Sequence, residues 1–229
     1  MQLFHVLRTG ALGAAICLCL QGQKPQSNEA PSEMKGLPPR ATPADYQAHV
    51  QAGTVTVAAE FTGHGVPTFE GPLSTEDYVA VETGLFGPPN ARIRLSPGDF
   101  SLRINGKKKP LPSQPYGLVV GSVKDPEWNP PVTEEEKEAK SSKSSLKTGG
   151  GGQGDVVPLS EPPPPVKIPI ELQRAWAQRV QKASLPEGDR PLPQAGVIFF
   201  RYRGKTQSID SVELIYAGPA GKVTLTLQP

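Results

Sequence analysis

Cysteine is nearly absent from this chain of 229 residues: it has two, Cys17 and Cys19, and both lie near the amino terminus. Residues 20–229 therefore contain no thiol. Disulfide bonds, cysteine nucleophiles and cysteine-ligated metals are excluded from that part of the chain. A domain formed by these residues has to be stabilised by packing and hydrogen bonds.

Neither sign of charge dominates, since 24 Lys and Arg stand against 22 Asp and Glu. The formal net charge is +2, and charges of both signs are interspersed along the sequence. Proteins whose main partner is nucleic acid or an anionic membrane usually carry a clear excess of positive charge. The composition therefore predicts no nucleic-acid partner.

Long apolar runs are also lacking, apart from ten residues at 11–20. Arg8 precedes this run and polar residues follow it, which is the arrangement of a secretory signal peptide. In a helix, ten residues cover about half of the hydrocarbon core of a bilayer. We predict a signal peptide over residues 1–22, a periplasmic, extracellular or cell-surface location, and no membrane span after cleavage. Ile16 and Leu18, which precede the two cysteines, are larger than a lipoprotein signal prefers, and the sequence leaves a lipid anchor open.

Sequence motifs of catalysis and metal binding are missing as well. The chain has no Gly-x-Ser-x-Gly motif, no His-Glu-x-x-His motif and no calcium-binding loop. The glycine-rich run 149–154 lacks the Lys-Ser/Thr of a phosphate-binding loop. His64, between two glycines, is interpreted as a solvated loop residue rather than a metal ligand. We predict no catalytic residue, metal or cofactor.

Proline and glycine are abundant, with 27 and 24 residues, or 51 of 229 positions. This frequency excludes a helical bundle, and short alternating runs between the breakers predict an antiparallel β fold. Residues 100–104 alternate apolar and polar side chains, and the following Asn105–Gly106 is typical of a type I′ hairpin turn. About eight strands are predicted, over residues 54–61, 77–86, 91–95, 100–104, 117–123, 196–202, 211–217 and 222–228.

One segment has helical periodicity. Leu172, Trp176 and Val180 recur at intervals of four, which predicts an amphipathic helix over residues 166–186 that packs on its own domain. Residues 130–165 are rich in Glu, Lys, Ser, Gly and Pro and are predicted to be a disordered insert.

The predicted organisation places one β-sandwich on both sides of that insert. Turn signals recur every 8 to 12 residues in both halves, and neither half has enough strands for two sheets. The predicted segments are a signal peptide (1–22), a disordered tether (23–45), the first part of the sandwich (46–129), the insert (130–165), the helix (166–186) and the second part of the sandwich (187–229).

Several of these features together are similar to a known group. The signal peptide and polar tether, followed by the segments YVAVE at 78–82, DFSLRINGK at 99–107 and GVIFF at 196–200, resemble exported bacterial immunoglobulin-like domains of unknown function. The resemblance covers residues 50–125 and 195–228 and lies in the pattern rather than in a diagnostic motif. It implies an immunoglobulin-like antiparallel β-sandwich with a binding, adhesion or envelope-associated role, and it implies no catalytic residues.

Three segments are candidates for contacting a partner: 61–69, 107–112 and 201–205. Lys107, Lys108 and Lys109 follow the predicted hairpin turn, where they either keep the tip soluble or contact an anionic glycan or lipid head group. Arg201, Tyr202 and Arg203 form a basic strand end, an arrangement that also protects an edge strand from aggregation.

The sequence thus predicts a non-enzymatic binding or envelope-associated interaction module, whose protein or envelope partner it does not identify. The alternative is a small carboxylate-dependent hydrolase or carbohydrate-active accessory domain, with Glu76 and Asp77, or Glu82 and Asp99, as the paired acids. A third hypothesis is a structural spacer whose segment 130–165 crosses the cell wall.

Overall fold

A computed structural model describes residues 36–129 and 168–229. The predicted signal peptide, the predicted tether up to residue 35 and the whole predicted insert 130–165 lie outside the described residues.

The described residues form thirteen strands and two α-helices. The helices are α1 (Tyr116–Val119) and α2 (Ile170–Ala183). The strands are β1 (Ala48–Ala52), β2 (Val55–Gly63), β3 (Gly65–Val66), β4 (Leu73–Thr75), β5 (Tyr78–Phe86), β6 (Arg92–Leu95), β7 (Phe100–Ile104), β8 (Leu111–Gln114), β9 (Val123–Lys124), β10 (Gly188–Pro191), β11 (Gln194–Arg201), β12 (Val212–Gly218) and β13 (Gly221–Leu227).

Eight strands form one antiparallel sheet in the order β1-β2-β5-β11-β8-β7-β12-β13. Its two edges come together, and Gln47 Nε2 donates a hydrogen bond to the carbonyl oxygen of Gln228 at 3.0 Å. The mainly β, antiparallel fold predicted from the sequence is confirmed. The predicted sandwich has two sheets facing each other, whereas these eight strands form a single, nearly closed sheet, here called the barrel.

The barrel combines both halves of the sequence, because β11 pairs with β5 on one side and with β8 on the other. Two small sheets flank it: β10 pairs with β6, and β4 pairs with both β3 and β9. The chain on either side of residues 130–167 therefore contributes strands to one hydrogen-bonded structure.

Alternation along the strands separates two hydrophobic clusters. On β5, Val79 and Val81 point into the barrel, while Tyr78 and Ala80 point outward. The outer cluster lies under α2, which buries Trp176 and the other apolar residues of its stripe against Ala80, Val197 and Phe199. β5 and β11 are buried on both faces for this reason. The predicted helix is confirmed, with observed bounds Ile170–Ala183.

The last ten residues of the predicted tether, 36–45, lie against the outside of the barrel. Leu37 is buried in the outer cluster, and the Arg40 guanidinium contacts the carboxylates of Glu60 on β2 and Glu82 on β5. A 3-10 turn at Pro43–Asp45 leads into β1. Residues 36–46 are called the strap below.

The strand predicted over residues 117–123 is wrong. These residues form α1, a 3-10 turn (Val120–Ser122) and the two-residue strand β9. A short apolar run such as Leu118-Val119-Val120 does not distinguish a strand from a helix. Only Val119 of these three is fully buried, because it packs into the outer cluster beside α2.

Candidate functional site

Two basic segments singled out in the sequence lie at the same end of the barrel. Lys107–Lys109 belong to the turn between β7 and β8, and the segment 201–205 begins at Arg201, the last residue of β11. Because β7, β8 and β11 are antiparallel neighbours, the β7–β8 turn and the carboxyl end of β11 meet at one end. We call it the basic end.

Asn105 connects these two segments. Its φ of 53° and that of Gly106, 63°, are the left-handed values of the predicted type I′ turn. Its side-chain oxygen accepts from the amides of Asp210 and Ser211, at 2.7 and 3.2 Å. Its side-chain nitrogen donates to the carbonyl oxygen of Ser208 at 2.8 Å. The lysine turn is thereby fixed to the segment that follows Arg201–Lys205.

An open groove with a volume of about 450 Å³ lies at this end. One wall is the segment 203–207, here called the loop wall, and the other is formed by β4 and β9 with Glu76. Every lining residue except Gly204 has a polar or charged side chain, and the lining consists of His64, Ser74, Thr75, Glu76, Lys124, Arg203, Gly204, Lys205, Thr206 and Gln207.

His64 joins the loop wall to the barrel. The φ of Gly63, 58°, and a register shift in the β2–β5 pairing let the chain turn sharply at this point. The ring Nδ1 of His64 lies 2.7 Å from the carbonyl oxygen of Tyr78, and Nε2 lies 2.8 Å from that of Gly204. The ring is half-buried and both of its nitrogens have a hydrogen-bond partner, whereas the sequence predicted a solvated loop histidine.

Tyr202 supports both His64 and the loop wall. Its ring stacks on the His64 ring, with centroids 6.3 Å apart and an interplanar angle of 28°. Its hydroxyl donates to Ser208 Oγ at 3.1 Å, since Ser208 Oγ itself donates to the carbonyl oxygen of Lys205 at 2.7 Å. Its backbone amide donates to the carbonyl oxygen of Asp77 at 2.9 Å. Tyr202 is therefore a positioning residue beside the groove rather than part of its lining.

Three cations line the groove against one carboxylate. Lys124 Nζ is 2.6 Å from Glu76 Oε1, and Arg203 Nε is 2.7 Å from a carboxylate oxygen of Asp77, just outside the lining. Lys205 is exposed and forms no ion pair within residues 36–129 and 168–229. Exposed ion pairs contribute at most about 1 kcal/mol, so an incoming anion can compete for Lys124 and Arg203.

Of the predicted contact residues, some line the groove and others lie outside it. Arg203 lines it, whereas Lys107, Lys108, Lys109 and Arg201 are exposed at the same end outside the lining. Of the candidate segment 61–69, His64 alone belongs to the lining. Sequence reasoning missed Lys124, and no local pattern could have revealed it, because the pairing of β9 with β4 brings it there.

The acids of the enzymatic hypothesis lie in different surroundings. Glu76 and Asp77 each face a cation of the groove, and Glu82 is paired with Arg40 on the outer face of β5. Asp99 precedes β7, and two strands, β11 and β8, separate β7 from β5. At the usual spacing of strands, the backbones of Asp99 and Glu82 are about 14 Å apart. Burial raises the pKa of Asp99. Glu82 and Asp99 therefore do not form the predicted acid pair.

Within residues 36–129 and 168–229, no group of three or more His, Cys, Asp or Glu residues is close enough together to hold a metal ion. No helix there has both the length and the apolarity needed to cross a membrane.

No family model, curated protein or solved structure matches this chain.

Proposed function

We propose that this protein is an exported, non-enzymatic binding module of the cell envelope, and that the groove at its basic end binds an anionic glycan. The observation that carries the proposal is the lining of the groove: Lys124, Arg203 and Lys205 against the single carboxylate of Glu76. Lysine and arginine bind the carboxylate, sulfate or phosphate groups of acidic sugars through charge-assisted hydrogen bonds.

The neutral lining suits the rest of a sugar. Thr206 and Gln207 add a hydroxyl and an amide, which pair with sugar hydroxyl groups. The exposed Lys107, Lys108, Lys109 and Arg201 surround the same end and extend the positive potential beyond the groove. A chain with repeated negative charges would therefore be attracted along the whole basic end.

A glycan fits this site better than a membrane surface. The groove is concave, whereas a lipid surface is contacted by protruding apolar side chains. The exposed large hydrophobic residues in the described part of the chain are Phe69, Leu118 and Ile170, and none lines the groove. The anionic-glycan alternative for the lysine turn is therefore preferred to the lipid head group.

The cellular setting belongs to the same proposal. The apolar run at 11–20, flanked by Arg8 and a polar segment, supports export. The resemblance to exported bacterial immunoglobulin-like domains supports an envelope role. An immunoglobulin-like relationship would require the nearly closed sheet to be a variant of the two-sheet arrangement.

The test is calorimetric titration of the purified full chain at low salt with a trisaccharide of galacturonic acid, and with uncharged galactotriose as the ligand control. We expect binding of the acidic sugar only, weakening as salt is added. Lys205→Glu should weaken binding about tenfold, the equivalent of about 1.4 kcal/mol. Lys222→Glu is the matched control, because Lys222 is exposed beside the β12–β13 turn at the opposite end of the barrel.

Two results would overturn the proposal. One is equal weakening by Lys205→Glu and Lys222→Glu, which would show that the groove is not the site. The other is binding to vesicles of anionic lipid without binding to the acidic trisaccharide, which would make a membrane the partner.

A further inference from the structure

The hydrogen bonds of His64 depend on its protonation state. Each ring nitrogen faces a carbonyl oxygen, Tyr78 O at 2.7 Å and Gly204 O at 2.8 Å, and a carbonyl oxygen can only accept. Both bonds therefore need an N–H on the ring. A neutral imidazole has one N–H, and its other nitrogen would place a lone pair against a carbonyl lone pair.

We propose that His64 is a proton-dependent clamp on the groove: the imidazolium form holds the loop wall to the barrel, and the neutral form releases one of the two bonds. The consequence for ligand binding rests on the proposed function, whereas the clamp itself does not.

The two carbonyls belong to parts of the molecule with different support. Tyr78 is the first residue of β5, and its backbone is fixed by pairing with Arg201 on β11. Gly204 lies in the loop wall, outside any strand. Other side chains also support this wall and the residues that follow it. Arg203 pairs with Asp77, Ser208 Oγ donates to the carbonyl oxygen of Lys205, and Asn105 bonds to the backbone of residues 208–211. Loss of the Gly204 bond should therefore loosen the loop wall without unfolding the barrel.

The charged side chains that line the groove with His64 are Glu76, Lys124, Arg203 and Lys205. Lys124 on β9 and Arg203 on the loop wall disfavour a further positive charge, but each is paired, with Glu76 and Asp77 respectively. Lys205 on the loop wall opposes the imidazolium charge, and the Tyr202 ring stacks on the imidazole.

A bound anion would favour the imidazolium. By linkage, protonation of His64 and binding of the acidic sugar then strengthen each other. The sign follows directly: the clamp and the added affinity are present while His64 is protonated and are lost when it loses its proton, so both are favoured in acid. The carboxylates of galacturonate stay ionised above about pH 5, so the ligand does not account for such a change.

The clamp is tested in the full chain labelled with ¹⁵N-histidine and ¹³C. When His64 is protonated, NMR should show two ring N–H groups with couplings across hydrogen bonds to the carbonyls of Tyr78 and Gly204. One coupling should vanish as the ring is titrated. His49, which is exposed, provides the reference, and His64→Gln assigns the signals.

Hydrogen exchange measures the consequence for the loop wall. The amides of Ser208 and Ile209 are bonded to Lys205 O and Thr206 O, both at 3.0 Å. After correction for the intrinsic rate, their protection should fall five- to tenfold when His64 loses its proton, as expected for one hydrogen bond. The amide of Leu192, bonded to Ala91 O at 2.9 Å, should not change. His64→Gln should abolish the pH dependence, and His49→Gln should retain it.

Titration with the galacturonate trisaccharide between about pH 5 and 8 separates the two proposals. In the unmodified chain, the affinity for the trisaccharide should fall as pH rises. In His64→Gln, the affinity should be independent of pH. If the sugar never binds but the couplings and protection change as expected, the proposed function fails and the clamp stands. If the sugar binds equally at all pH values and the protection of the Ser208 and Ile209 amides does not change when His64 loses its proton, the clamp is refuted and the proposed function stands.

Discussion

Replacing Arg40 by Met should destabilise the fold by removing the cation between two neighbouring carboxylates. Glu60 and Glu82 are direct cross-strand partners on β2 and β5, with Cβ atoms about 5 Å apart. Arg40 donates to both carboxylate oxygens of Glu82, at 3.2 and 2.9 Å, and also pairs with Glu60. Hydrogen bonding to Glu82 raises the pKa of Arg40 further above its ordinary value. Arg40 therefore stays charged at every accessible pH.

The magnitude depends on how far these groups are removed from water. The side chain of Glu82 is 11% exposed and that of Arg40 is 30% exposed. Removing one partner of a buried ion pair costs 3–5 kcal/mol, because the other charge stays buried without compensation. Arg40 is partly solvated and Glu60 can turn to water, so we expect a loss near the lower limit, about 3 kcal/mol in the free energy of unfolding. The strap should lose its polar attachment to the barrel at the same time and keep the apolar contacts of Leu37 in the outer cluster.

Urea unfolding of the full chain, followed by circular dichroism, measures this loss. Arg92→Met is the matched control, since the Arg92–Asp189 pair is 54% and 62% exposed and should contribute less than about 1 kcal/mol. Adding Glu82→Gln to Arg40→Met should recover most of the stability, because the double variant no longer buries an uncompensated charge. The reasoning is refuted if Arg40→Met costs no more than Arg92→Met, or if Glu82→Gln worsens the variant.

Two further predictions concern Asp99 and the insert. Burial raises the pKa of Asp99 above its ordinary 3.8, so its ionised form disfavours folding at neutral pH and its protonated form does not. Asp99→Asn should unfold at a higher urea concentration than the unmodified chain at neutral pH, with the difference gone below about pH 3.8; a constant difference would contradict this explanation. Exchanging residues 130–167 for about eight Gly and Ser residues should keep the fold, because Trp128 packs on Trp176 of α2 and Ile168 accepts from Gln173 at 3.1 Å, holding both ends. The shorter loop should raise the free energy of unfolding by about 1 kcal/mol, and loss of the folded β spectrum would show that the insert contributes to the fold.

Strands were predicted correctly where one face is buried and the other is exposed to solvent. In β7, Phe100, Leu102 and Ile104 point into the barrel, as their alternation with Ser101 and Arg103 predicted. Strand β8 was missed, because Pro112 and the polar Ser113 and Gln114 show no such alternation. Its pairing with β7 and β11 outweighs its weak local preference for a strand.

The candidate site could be predicted only in part. Arg203 and the lysine turn were singled out, because clusters of like charge are visible along the sequence. The clamp was not, because His64 and Gly204 are 140 positions apart and meet only when β5 pairs with β11. The near-zero net charge also concealed the basic end, since it averages over charges that folding separates in space.

Local patterns were enough to predict the antiparallel β class, the apolar stripe of α2 and the type I′ turn at Asn105–Gly106, because each depends on residues within a few positions of one another. Three features became visible only in the folded chain: eight strands form one nearly closed sheet, the strap lies along its outside, and Lys124 and Lys205 share a groove with His64. Strand order and the meeting of loops depend on which distant segments pair. That choice is made by the packing of the whole core and not by any local pattern.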